Sequence, residues 1–182
     1  MANICFNIMK ILGEETKLEK LKVLLDKCLE NNICSFREVA KVLEVTIPDD
    51  VCCRGDILYV DEIKDNILSL QTETAWSPMD EYWDIVTEQL GIQYASLSEE
   101  CGMEIYVIHN DPEGRYFSEN YVIDIWEEYQ NLSSDYFYSD TEKEICEFMQ
   151  ERVPDRQFRS FEDVKRYFED ADFGTAYEYV RD

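Results

Sequence analysis

The stretch ILSLQTETAWSPMDEYWDIVTEQLG, residues 67–91, decides the fold reading because it holds a strand, a junction and a helix in one unbroken run. From Ile67 to Trp76, apolar and β-branched residues alternate with polar ones at the period of a half-buried strand. Ser77 then stands as an N-cap directly before Pro78, at a first helical position where a missing N–H does no harm. Tyr82, Trp83, Ile85, Val86 and Leu90 supply the apolar face of the helix that follows, and Gly91 is its stop. A strand that passes straight into a helix start reads as a crossover, so its partner elements are sought on either side.

Upstream, Asp56 to Ile63 is strand-like, and Lys64-Asp65-Asn66 is the turn that makes it a hairpin with the strand at 67–76. Residues 2–12 read as a first strand ending at Gly13. Between them, Leu18, Leu21, Leu25 and Cys28 recur at helical spacing from Glu14 to about Leu29, with Asn31-Asn32 as the stop. Ser35, with Glu38 three residues on, opens a short helix through Leu43, and Thr46 to Arg54 is a loop. Downstream, Ile92 to Leu97, Met103 to Asn110 and Arg115 to Asp124 read as strands. The order strand, helix, strand, strand, helix, strand is the split βαβ arrangement. It predicts an α+β, ferredoxin-like antiparallel sheet with two helices on one face over residues 1–124. Beyond it, 125–138 is acidic and aromatic, 139–152 is helical, Pro154 breaks that helix, and Ser160 caps another through Phe168. The reading for 125–182 is an acidic, aromatic-rich helical appendage.

Two sets of residues resemble a known family. Asn3-Ile4-Cys5-Phe6-Asn7 followed by Gly13, and Thr74-Ala75-Trp76-Ser77-Pro78 followed by a helix, a strand and Glu100-Cys101-Gly102-Met103, are similar to the YubB-like ferredoxin-domain proteins of phages and plasmids. The resemblance covers residues 1–124. Residues 33–58 stay unaligned, because only Arg54-Gly55-Asp56 stands where the family has a Gly-Thr-Lys-Trp-Asp-like segment. It implies a mobile-element origin and a ferredoxin-like fold without iron–sulfur clusters, and it lends no established reaction.

The charge excludes more than the motifs do. The 182 residues carry 41 acids against 17 bases, a net charge of −24, with 45% apolar and 13% aromatic content. That is globular content, enough for a core burying ~70% of the unfolded surface, under a strongly negative exterior. Phosphate binding needs clustered Lys and Arg, and a surface this negative is repelled by nucleic acid and by anionic lipid. Residues 1–60 are nearly balanced, so the acid belongs to 61–124 and 125–182. A salt-adapted surface is the duller explanation, disfavoured by the share of Lys among the bases. Seven scattered cysteines suit free thiols in a reducing compartment. With no signal-peptide pattern and no apolar run of membrane length, a cytoplasmic location is expected, and the resemblance implies that the cell is a bacterial host.

Chemistry is thinly represented. His109 is the only histidine, and the sequence offers it no paired Ser or Cys. No zinc spacing, EF-hand or glycine-rich phosphate loop exists, so no catalytic residue, cofactor or metal is expected. The informative constellation lies at 135–151. Asp140, Glu144, Glu147 and Glu151 fall at i, i+4, i+7 and i+11 of a helix, spanning about 16 Å of carboxylates along one face. Asp135, Tyr136 and Tyr138 precede them, and tyrosine is a favoured interface residue. A solvated helix face is the bland alternative. Taken with the net charge, the seven residues are expected to bind a basic nucleic-acid-binding protein as a DNA mimic. Size and charge resemble those of anti-CRISPR proteins, which makes Cas9, with or without guide RNA, the expected partner. The other reading is an enzyme or small-ligand binder whose acidity serves only solubility.

Overall fold

A computed structural model describes residues 3–129, 131–169 and 173–182. The chain is α+β and divides into two compact units, one running to Pro112 and joined by Arg181–Asp182, the other spanning Glu113–Val180. In order along the chain are β1 (Ile4–Leu12), α1 (Glu15–Glu30), α2 (Phe36–Val42), β2 (Gly55–Val60), β3 (Ile67–Ala75), α3 (Asp80–Leu90), β4 (Gln93–Glu100) and β5 (Ile105–His109). There follow β6 (Tyr121–Ile125), β7 (Asp135–Ser139), α4 (Glu142–Arg152), α5 (Phe161–Glu169), β8 (Gly174–Glu178) and β9 (Val180–Arg181).

The first sheet has the order β2-β3-β1-β4-β5-β9, with β1 antiparallel to both β3 and β4 along its length. Helices connect β1 to β2 and β3 to β4, so each crossover skips a neighbour. The Asp65-Asn66 turn closes the β2–β3 hairpin with both residues at positive φ, the twist a two-residue hairpin turn requires. Alternate residues of β1 are buried, and Met9 and Ile11 join Leu68 and Leu70 in one apolar cluster with Leu18, Leu21 and Leu25 of α1, Phe36 and Val39 of α2, and Tyr82, Trp83 and Val86 of α3. At its centre Phe36 stacks on Tyr82, ring centroids 4.5 Å apart, while Trp83 stands edge-on to both. The Tyr82 hydroxyl donates to the Phe36 carbonyl at 2.9 Å.

Gly55 is where β2 passes closest to this cluster. A Cβ there would meet the Phe36 ring at 2.7 Å, Thr74 Cγ2 at 2.8 Å and the Glu73 carbonyl at 3.0 Å. Gly55→Ala is therefore expected to lower stability by roughly 1–3 kcal/mol, read as a lower urea midpoint with an unchanged slope. The Arg54-Gly55-Asp56 tripeptide thus has a packing reason for its glycine.

The strand-to-helix junction differs from the sequence reading. Helix α3 starts at Asp80 with Met79 at the N-cap position and no side-chain cap, two residues after Pro78. Thr74 Oγ1 donates to the Ser77 carbonyl at 2.8 Å, and Trp76, its N–H held by the Asn3 carbonyl at 2.9 Å, turns the chain at φ 75°. A residue with a side chain loses about 1–2 kcal/mol in that left-handed region.

Two expectations for the second half are overturned. The strand read at 115–124 and placed in a 1–124 domain by sequence is the shorter β6, Tyr121–Ile125, and it is the central strand of a second sheet, β7-β6-β8, whose partners come from 135–139 and 174–178. The segment 125–182 is not a helical appendage, since it supplies two strands of that sheet beside α4 and α5. Ile123, Ile125, Ile145, Met149, Phe161, Val164 and Phe168 form its separate core. Among the described residues, no helix is long and apolar enough to cross a membrane.

Candidate functional site

The seven residues singled out by sequence fall on different pieces of the second unit. Asp135, Tyr136 and Tyr138 lie on the edge strand β7. Tyr136 and Tyr138 are 45% and 42% exposed, with rings parallel at 6.0 Å. Strand pleating turns Phe137 the other way, where it stacks on Phe148 of α4 at 3.9 Å. The tyrosine pair therefore occupies the sheet face opposite α4, and adjacency in sequence does not make one surface of the tyrosines and the acidic helix.

The carboxylate stripe also divides. Asp140 precedes the helix, with Thr141 between it and Glu142, and its carbonyl accepts from Asn120 Nδ2 at 2.7 Å. Glu144 is the third residue of α4, whose N-cap is Thr141. Its N–H donates to Thr141 Oγ1 at 3.3 Å, and its carboxylate accepts the Ser139 hydroxyl at 2.6 Å. Glu142, which the sequence reading passed over, accepts the Phe161 N–H at 2.6 Å and so caps the start of α5. What remains is Glu147 and Glu151, 61% and 79% exposed one turn apart. Glu147 lies 3.5 Å from Lys143, and Glu151 lies 3.8 Å from Arg152. Exposed pairs of this kind are weak and are screened by salt, so both carboxylates stay available to a stronger cationic surface.

A second polar cluster, in the first unit, was missed by sequence. His109 faces Ser96 across the β4–β5 ladder, and its Nδ1 lies 2.6 Å from Asp182 Oδ1. Tyr94 packs beside it, ring centroids 5.6 Å apart, and donates to Asp84 Oδ1 at 3.0 Å. Burial pushes the Asp80 carboxyl above its ordinary range, helped by Asp182 and Asp84 and opposed by His109. Burial also raises the Tyr94 phenol, with Asp80 and Asp84 adding to it. The trio Ser96, His109 and Asp182 carries the residue types of a nucleophile relay. Its geometry is not one: Ser96 is 2% exposed, and among the described residues its Oγ makes no hydrogen bond to His109 or to any other group. Among the described residues, no three His, Cys, Asp or Glu side chains are arranged to hold a metal ion. Only the spacing of three distant positions could have signalled this cluster, and a single sequence does not show which residues meet across a ladder.

No family model matches this chain, and comparison with curated proteins and with solved structures gives no match. Its function is therefore argued from the surfaces alone.

The thiols divide by burial. Cys5, Cys28 and Cys146 are buried while Cys52 and Cys101 are exposed. Burial pushes Cys5 up to about 12, with Glu100 and Asp80 contributing, so little thiolate exists there near neutral pH. Cys28 and Cys146 are raised by burial too. Maleimide at neutral pH is expected to label Cys52 and Cys101 first and the three buried thiols only on unfolding. Peptide mass spectrometry reads the order, and early labelling of Cys5 would contradict the packing of β1 against β3.

Proposed function

We propose that this protein is a non-enzymatic acidic inhibitor of a nucleic-acid-handling enzyme. It occupies basic surface that otherwise takes DNA, and an anti-CRISPR action on Cas9, with or without guide RNA, is the form we favour. The observation that carries the reading is the outer face of α4. Glu147 and Glu151 stand exposed there, in a chain of net charge −24. Such a field accelerates encounter with a basic groove and competes with phosphates for the same cations. The strand order β2-β3-β1-β4, antiparallel throughout and joined by helical crossovers, supports a ferredoxin-like reading of the first unit with its two main helices on one face. The YubB-like resemblance and the phage or plasmid origin it implies belong to the same proposal.

The test is competition between this protein and target DNA for guide-loaded Cas9 at two salt concentrations. The expected result is mutual exclusion that weakens as salt rises. Simultaneous binding of DNA and inhibitor, with DNA affinity and cleavage unchanged, refutes it. The His109–Asp182 pair favours the alternative, an enzyme or small-ligand binder. On our reading His109→Ala leaves inhibition intact, whereas loss of activity in a folded variant would support the alternative.

A further inference from the structure

Arg181 and Asp182 return to the end of β5 and are held there by bonds of two kinds. Two belong to the backbone: the Asp182 N–H donates to the Ile108 carbonyl at 3.1 Å, and the Asn110 N–H donates to the Asp182 carbonyl at 3.1 Å. The others come from side chains. Arg181 Nη1 donates to the Asp111 carbonyl at 3.0 Å and stands 3.7 Å from the Asp111 carboxylate, while His109 Nδ1 lies 2.6 Å from Asp182 Oδ1. A guanidinium keeps its charge throughout, so of these cations only the imidazole changes charge near neutrality.

The surroundings leave that imidazole to Asp182. His109 is the one histidine in the sequence. Ser96, opposite it on β4, gives it no hydrogen bond, and the Tyr94 hydroxyl is committed to the Asp80 carbonyl at 3.2 Å and Asp84 Oδ1 at 3.0 Å. Among the described residues, Asp182 is therefore the ring's hydrogen-bond partner. An ionised carboxylate only accepts, so the hydrogen in this contact sits on Nδ1 whether the ring is neutral or charged. The bond persists in both states, and protonation adds the attraction of two full charges.

The groups that face the ring from other elements are Asp80 of α3 and Tyr94 of β4, with Asp84 behind the Tyr94 hydroxyl. The Asp80 carboxyl, raised above its ordinary range mainly by burial, senses His109, Asp182 and Asp84, and the Tyr94 phenol is raised by burial too and stays neutral. Asp80, Asp84 and Tyr94 remain beside the ring when β9 leaves. What docking adds to the ring is the Asp182 carboxylate.

We propose that His109 and Asp182 form a pH-sensitive latch, which holds the β9 end of the first sheet more firmly as pH falls from about 8 to about 5. Imidazolium paired with Asp182 favours the docked strand, so the added stability is present on the acid side and is lost as pH rises through the histidine range. The latch is independent of the α4 reading.

Hydrogen exchange of the Asn110 and Asp182 amides in the full chain, read by NMR and corrected for the intrinsic pH dependence of exchange, is the test. Both amides donate across the latch. Protection in the wild type is expected to be about threefold higher at pH ~5.5 than at pH ~7.5. His109→Gln keeps a donor toward Asp182 without the charge, and Asp182→Asn removes the carboxylate. In each variant the protection is expected to be equal at the two pH values. Flat protection in the wild type overturns the proposal. So does a pH dependence that survives in either variant, which would move its cause to another group, Asp80 first. Both side chains are partly exposed and both changes are conservative, and the wild-type profile by itself is enough to refute the latch.

Discussion

Truncation of Phe36 to Ala is expected to lower the free energy of unfolding by about 4 kcal/mol, measured by urea denaturation. The ring is fully buried, stacked on Tyr82 and met edge-on by Trp83. It stands where α2, β2 and α3 converge, since Gly55 leaves room only for that ring. Neighbours held by three different elements cannot all collapse into the vacated space, so the cavity term adds to the lost transfer energy. Tyr82→Phe keeps the stack and removes only the hydroxyl's bond to the Phe36 carbonyl, so its cost is about 1 kcal/mol. A Phe36→Ala cost below about 2 kcal/mol would mean that the aromatic group is not enclosed as described.

The second large effect is on binding. Glu147→Lys with Glu151→Lys changes the local charge by four units on an exposed helix face while leaving the caps of α4 and α5 in place. The expected outcome is an association rate for guide-loaded Cas9 lower by about tenfold near ~0.05 M salt and by about twofold near ~0.3 M, with dissociation little changed. Stopped-flow binding at the two salts measures it. Glu144→Lys is the wrong probe for this surface, because it removes the carboxylate that accepts the Ser139 hydroxyl and costs about 1 kcal/mol of stability besides. Equal association rates for the double variant and the wild type at low salt would remove α4 from the proposed interface.

Local chemistry explains what the sequence made legible. Asp65-Asn66 and the run from Ile67 to Leu90 were readable because turn residues, β-alternation and helical period sit within a few positions of one another. Residues 121–125 were misassigned because their partners, 135–139 and 174–178, both come later in the chain, the second of them far along it, and a five-residue strand has no period strong enough to stand alone. The alternation Asp135-Tyr136-Phe137-Tyr138 is a strand pattern, yet its acids and rings drew the reading toward an interface. Thr141-x-x-Glu144 carried a cap signature that the acidic spacing hid. The meeting of His109 with Asp182, 73 positions apart, depends on the whole topology.

The return of the chain to its first sheet has a thermodynamic consequence. Arg181 Nη1 donates to the Asp111 carbonyl at 3.0 Å, and Asp182 bonds Ile108 and Asn110, so the excursion from Glu113 to Val180 is clasped at its base. While that excursion is folded, its two ends are held in register and β9 is delivered to β5 with little entropy left to lose. Were it unfolded, the clasp would have to close a long, floppy loop, at a cost that rises with the logarithm of its length. Unfolding of the segment that holds Ile123, Ile145 and Phe168 therefore lengthens the loop that the β5–β9 pairing has to close, and weakens that pairing through chain entropy alone.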